Sequence, residues 1–171
     1  MKIQQVTAEH HARVYALLRA AFRGSDYEAT LVQLLHAHAK PLQEWVALHT
    51  NKVIAYVAFS RAFQGNAVCG WHLAPMAVTP EFHKQGVGSE LLRFALRQEV
   101  IKSETLFVLG APAYYRRFGF EPCTAPICPY DKDNAHFLSL RNRRSESFTV
   151  GYEAEFKTAA KLPPPQGRKR R

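Results

Sequence analysis

An apolar run that stops at Thr79-Pro80 leads through a basic turn containing Gly86 and Gly88 into Glu90-Leu91-Leu92, and residues 75–89 together have the make-up of an anion cradle. The first turn of a helix leaves backbone N–H groups without partners, and the helix dipole adds partial positive charge at that end. Gly86 and Gly88 allow a phosphate to approach the backbone closely, and His83 and Lys84 can add charge. A glycine pair alone is more often an ordinary turn, so the surrounding elements decide its meaning. Cys69, Cys123 and Cys128 are an odd count without zinc-type spacing and read as reduced thiols, so no metal site is expected. His10-His11 and His36/His38 show no convergent partners, and positions 36 and 38 of a helix do not face each other.

The elements that must position the cradle follow from periodicity. Lys2–Val6 alternates like a first strand, and Thr7 can cap a helix with Val14, Leu17, Leu18, Ala21 and Phe22 on one face, ended by Gly24. Ser25 and Glu28 have the capping-box form of a second helix that buries Leu31, Leu34 and Leu35 and runs to about Ala39. Glu44–His49 and Val53–Phe63 read as a hairpin joined at Thr50-Asn51-Lys52. Val68–Val78 is a longer strand carrying Pro75, which cannot donate to a ladder, so the strand should bulge or part from a neighbour there. A helix through about Glu99 follows the cradle with Val87, Leu91, Leu92, Ala95 and Leu96 on one face. Thr105–Leu109 is a short strand buried on both sides. Ala113–Phe118 makes a short helix closed by Gly119, and Ala135–Leu140 and Ser147–Phe156 alternate like late antiparallel strands. The expected fold is a mixed α/β (α+β) domain with a mostly antiparallel central sheet of six to seven strands and about four flanking helices.

Composition sets the limits. At 171 residues, 47% of them hydrophobic, the chain can bury one real core. No stretch approaches the roughly 18 apolar residues of a membrane span, and Met1–Gln5 lacks the apolar run of a signal peptide, so a cytoplasmic location without membrane contact is expected. Much of the net charge of +9 sits in Arg141-Asn142-Arg143-Arg144 and in the proline-rich end Lys161–Arg171. The expected organisation is therefore a single domain over residues 1–157 and a basic, flexible tail over 158–171. That tail leaves contact with RNA open.

Two segments carry a family resemblance. Met76–Leu92 resembles the acetyl-CoA-binding motif of the GNAT N-acetyltransferases, and Ala113–Phe120 resembles their downstream Tyr-x-x-x-Gly-Phe segment. Both occur in the family order, with one helix and one strand between them, and the order of elements is similar from Met1 to about Phe156. The family's glycine loop usually begins with Gln or Arg followed by Gly; here His83 and Lys84 stand at those positions, and the Lys84 backbone must be reached without glycine's freedom.

The resemblance implies acetyl transfer from acetyl-CoA to a primary amine in a ternary complex. It implies that the strand of Met76, Ala77 and Val78 separates from Thr105–Leu109 to form a slot, for which Pro75 offers a local cause. Backbone N–H groups near Met76 would polarise the acetyl carbonyl, while His83, Lys84, Gln85, Gly86, Val87, Gly88 and Ser89 would hold the pyrophosphate. Tyr115, four residues before Gly119, falls at the position of the general acid, and Tyr114 is expected to pack. For a general base His72, Glu104 and Glu81 remain open, as does water. The acceptor, a small-molecule or peptide amine, would lie among the first two helices, the Phe63–Val68 connection and the late strands, in a monomer or homodimer. The alternatives are a non-catalytic acyl-CoA-binding or regulatory module that docks on RNA, which would not need Tyr115, and a purely nucleic-acid-binding domain.

Overall fold

Strands that are apolar on both faces explain the layering. In β2 (Leu42–His49) and β3 (Lys52–Gln64), Trp45, Ala47, Val57 and Phe59 belong to one buried cluster while Val46, Tyr56 and Ala58 belong to another. A sheet of this kind must be covered on both sides. On one side α1 (His11–Ala21) and α2 (Tyr27–Ala37) bury Val14, Leu17, Leu18, Ala29 and Val32; on the other α3 (Val87–Leu96) buries Val87, Leu91, Leu92 and Ala95.

The computed structural model describes residues 1–162. Its main sheet has seven strands in the order β1 (Lys2–Gln5), β2, β3, β4 (Ala67–Val78), β5 (Leu106–Leu109), β8 (Phe137–Leu140) and β6 (Glu121–Pro122). Only the β4–β5 pair is parallel in this sheet. β7 (Pro126–Ile127) and β9 (Phe148–Thr149) form a separate small ladder, α4 (Pro112–Tyr115) follows β5, and α5 (Glu155–Lys161) ends the described chain. The architecture is the expected mixed, mostly antiparallel one, with five α-helices among the described residues. No helix among the described residues is long and apolar enough to cross a membrane.

Two late expectations change. Ser147–Phe156 is not one strand, because only Phe148 and Thr149 pair in a ladder, and Gly151 makes a single bridge to Phe63. Its alternating apolar residues pack instead: Phe148, Val150 and Tyr152 join a cluster with Cys69, Phe107 and Phe137. The boundary expected at residue 157 falls inside α5, whose Phe156 and Ala159, at helical spacing, pack on Leu31 and Leu35 of α2. Of the expected tail, residues 163–171 lie outside the described residues.

The middle of the sheet is where it opens. Val57 pairs with Met76 and Phe59 with Leu73, so Ala74 and Pro75 of β4 oppose Ala58 of β3, the two-against-one count of a bulge. On its other edge β4 pairs with β5 only at Trp71–Leu106 and His72–Phe107. This short union is tight: the Trp71 N–H donates to the Thr105 carbonyl at 3.0 Å, and a Cβ on Gly70 would collide with that same oxygen. Beyond Phe107 the two strands separate, and β4 from Ala74 to Val78 has β3 alone beside it.

Candidate active site

Two cavities flank the open stretch of β4. The smaller, of about 470 Å³, is lined by Val78, His83, Lys84, Gly86 to Ser89, Tyr114 and Arg117. Gly86 caps α3 with φ 78°, in the left-handed region where a side chain is disfavoured. The N–H groups of Gln85 to Ser89 find no backbone acceptor among the described residues, while the Gly86 carbonyl accepts from Glu90 at 3.0 Å. This is the unpartnered first turn expected of the sequence. Gly88 permits α3 to lie on the strand: a Cβ there would sit 3.0 Å from Met76 Cε, 3.1 Å from Val78 Cγ2 and 3.3 Å from the Tyr114 hydroxyl.

The two departures from the family loop have distinct structures. Lys84 adopts φ 60° without being glycine, so the left-handed turn is kept against an unfavourable side chain. His83 Nε2 donates to the Val78 carbonyl at 2.7 Å, which ties the turn to the end of β4. That hydrogen bond occupies Nε2, and Lys84 and Arg117 stand with His83 at the rim of the cavity. The Arg117 guanidinium lies 4.5 Å from the centroid of the Tyr114 ring, and Nε donates to the Tyr114 carbonyl at 3.3 Å. Sequence reasoning missed Arg117 and expected Tyr114 only to pack; their spacing on one helical turn was the available signal.

The larger cavity, about 490 Å³, lies where β4 and β5 have parted and includes Met76, Leu109, Tyr115 and His72 in its wall. Met76 thus lines one cavity and Val78, two residues on, the other. Ala77 between them faces the opposite side of the sheet, in the core with α1 and α2. Tyr115 packs edge-on against Tyr114 at 5.0 Å and Phe120 at 5.8 Å. Burial and, less, the neighbouring Tyr114 push its phenol up to about 12. Gly110 makes room for it, since a Cβ there would lie 2.6 Å from Tyr115 Cε2.

Of the three base candidates, His72 lines the larger cavity and Glu104 and Glu81 do not. It is 2% exposed, stacked on Tyr152 at 3.6 Å, and donates from Nε2 to the Gly151 carbonyl at 2.9 Å. Burial, against a small contrary effect of that hydrogen bond, pushes its pKa down to about 4. Glu104 lies before β5, at the end remote from the divergence, and its carbonyl accepts from Arg141 Nε at 2.8 Å. Glu81 sits exposed in the 3₁₀ turn Pro80–Phe82. The Phe63–Val68 connection does not reach the larger cavity; Tyr27 and Glu28 of α2, Phe156 of α5 and the loop residue Tyr130 do.

The other histidines do have partners, contrary to the sequence expectation. His36 receives the Tyr15 hydroxyl on Nδ1 at 2.7 Å and meets Glu44 Oε1 through Nε2 at 2.9 Å, and Tyr56 donates to Glu44 Oε2 at 2.7 Å. His38 meets Glu155 at 2.9 Å, and His10 accepts the Thr7 N–H at 3.0 Å. Thr7 is local to His10, but Tyr15, Glu44 and Glu155 come from other helices and a strand, which spacing along one helix cannot reveal. One ligand atom each of His11, His36 and Glu44 lies within 4.8 Å of the others. The imidazoles of His11 and His36 are stacked at 3.8 Å and 8°, however, so their lone pairs run side by side and do not converge on one ion. The group is a polar junction between α1, α2 and the sheet. Cys69, Cys123 and Cys128 are all free and buried.

Comparison with known proteins agrees with this geometry. Residues 40–122 match the model of the acetyltransferase (GNAT) domain. The N-acetyltransferase YjhQ of Escherichia coli strain K12 is 38% identical over 106 residues, 58% of this chain and 59% of that protein. YhbS of the same organism is 38% identical over 109 residues, 62% and 65% of the two chains. The aligned stretch thus spans about three fifths of the length of the curated relatives it matches. The crystal structure of Escherichia coli YhbS in complex with CoA superposes with a TM-score of 0.83 at 27% identity, covering 91% of each chain. A GNAT family acetyltransferase from Brucella melitensis in complex with acetyl-CoA gives 0.76 at 28% identity, covering 91% of this chain and 97% of the other. The family model lies across both the glycine loop and the Tyr115 segment, and over nearly the whole fold the chain is similar to two CoA-bound GNAT acetyltransferases, a family whose acetyl donor is acetyl-CoA.

Proposed function

We propose that the chain transfers the acetyl group of acetyl-CoA directly to a primary amine bound in the larger cavity. The observation that carries this reading is the divergence of β4 from β5 beyond His72–Phe107, with an N–H-rich helix start at one end of the opening and Tyr115 at the other. Gln85 to Ser89 would hold the pyrophosphate with their free N–H groups, aided by Lys84 and Arg117 at the rim. The β4 backbone near Met76, released from β5, would donate to the developing oxyanion.

The chemistry sets tasks for two side chains. The C–N bond forms as the C–S bond breaks; the nitrogen sheds one proton and the thiolate takes one, so the transfer is proton-neutral. Tyr115 would supply the thiolate's proton. With its phenol near 12 against about 8.5 for a thiol in water, Tyr115 keeps its proton until charge builds on sulfur, and the buried slot raises the thiolate's basicity as well. His72, with a pKa near 4, is too weak a base to deprotonate an ammonium of about 10. The amine would therefore lose its proton before attack, and kcat/KM should rise with pH up to the acceptor's own pKa.

Calorimetry with CoA tests the donor site. The intact chain should bind CoA, and Gly86→Val, which forces a branched side chain into the left-handed conformation, should weaken binding while circular dichroism shows an unchanged fold. Absence of CoA binding to the wild type would overturn the assignment.

A further inference from the structure

The acceptor's chemical class follows from what lines the larger cavity, an inference that rests on the acetyl-transfer reading above. Aromatic rings make much of its wall: Phe22, Tyr27, Tyr115, Tyr130 and Tyr152 among them, drawn from five separate segments. Among these lining residues Glu28 is the one acid, and no Lys or Arg accompanies it. Its carboxylate accepts the Ser25 hydroxyl at 3.1 Å, which orients it, and no salt bridge to it exists among the described residues. In a chain of net charge +9, a carboxylate turned to a cavity without a cation partner is itself informative.

Burial keeps the surrounding phenols neutral: Tyr27 and Tyr115 are both pushed up to about 12. Glu28 is thus the single anion in the wall. Aromatic faces attract a cation and shelter an apolar body. They leave the hydroxyls of a sugar-like ligand without partners, and burying an unpaired hydroxyl is unfavourable. A polycation would need further carboxylates, and the volume of about 490 Å³ suits a small ligand.

We infer that the acceptor is a monocationic primary amine on an apolar, preferably aromatic, body, drawn in as its ammonium by Glu28 and seated against the rings of Tyr27 and Tyr130. Glu28 acts as a positioning residue. The ammonium then gives one proton to solvent water at the cavity mouth, and the neutral amine attacks the thioester.

Three amines read by CoA release, and by calorimetry on the protein–CoA complex, test this: 2-phenylethylamine, glucosamine and kanamycin. Phenylethylamine should exceed glucosamine at least a hundredfold in kcat/KM, and kanamycin should be poorer still. Glu28→Gln, which can retain the Ser25 hydrogen bond, should raise KM for phenylethylamine about tenfold with little change in kcat or in CoA affinity. Tyr130→Ala, at a ring 48% exposed and therefore removable without harm to the core, should also raise KM. Preference for glucosamine or kanamycin, or a KM indifferent to Glu28→Gln, would overturn the inference. Glu28-dependent binding of phenylethylamine without CoA release would uphold the pocket's selectivity while sinking acetyl transfer. Failure of phenylethylamine to bind or react would overturn the inference, and CoA release with another amine would leave the transferase reading standing.

Discussion

Burial sets the protonation of Tyr115 and His72, two of the ionisable rings in the wall of the larger cavity, and it does so with opposite consequences. Tyr115 is held as a neutral donor, its phenol near 12, and His72 as a neutral acceptor, its imidazole near 4. For His72 the effect reaches stability. In the unfolded chain the imidazole titrates near 6.5; below that pH the unfolded state takes up a proton that the folded state refuses until about pH 4. Its contribution is present above pH 6.5 and is lost as pH falls toward 4, up to about 3 kcal/mol. Urea unfolding at pH 7.5 and 4.5 should therefore show a smaller acid loss for His72→Phe than for wild type. Phe can stack on Tyr152, and the Gly151 carbonyl still accepts the Phe63 N–H at 3.0 Å. Equal acid losses would show that His72 does not carry the effect. At this scale Tyr115 was legible from its place before Gly119-Phe120, whereas Glu28 looked only like half of a capping box. Its second face, toward a cavity, depends on residues that are remote in sequence.

At the scale of elements, the turn before α3 keeps a left-handed residue at Lys84, and the short β4–β5 union lets the sheet open below it. The left-handed conformation costs a non-glycine residue roughly 1–2 kcal/mol, offset in part by the greater chain entropy that glycine loses on folding, roughly 0.5–1 kcal/mol. Lys84→Gly should accordingly raise the thermal midpoint slightly while weakening CoA binding through the lost charge; a lowered midpoint would mean that the turn is not strained. Gly110→Ala should displace the Tyr115 ring, with which its Cβ would collide, and lower kcat more than CoA affinity. Unchanged turnover would show that the ring's position is not critical. Glycines and Pro75 made this region readable in advance, because a glycine frees the backbone for a turn or close approach and a proline removes a ladder donor. The end of the chain was harder: Tyr152 and Phe156 look like alternating strand residues until the stacking on His72 and the packing of α5 on α2 are seen.

At the scale of the whole molecule, the seven-stranded main sheet among the described residues, covered on both faces, holds one opening in its middle, with one cavity at the glycine loop and another at Tyr115. The glycine-loop cavity is local in sequence, residues 78–89 with one later turn, and so the segment that builds it was readable. The larger cavity collects segments from Phe22 to Phe156, and no short motif announces such a collection. Ligand linkage offers a global check: CoA at a hundred times its Kd should stabilise the fold by about 2.7 kcal/mol and raise the melting temperature by roughly 5–10 °C. The most direct test of the account joins both sides of the opening in one residue. Steady-state acetyl transfer to an amine, followed by CoA release and by mass spectrometry of the acceptor, should fall about a hundredfold or more in kcat for Tyr115→Phe, with the calorimetric CoA affinity of wild type retained. Turnover equal to wild type, or a matching loss of CoA binding, would contradict a proton-donating Tyr115 and with it the mechanism assigned to the slot.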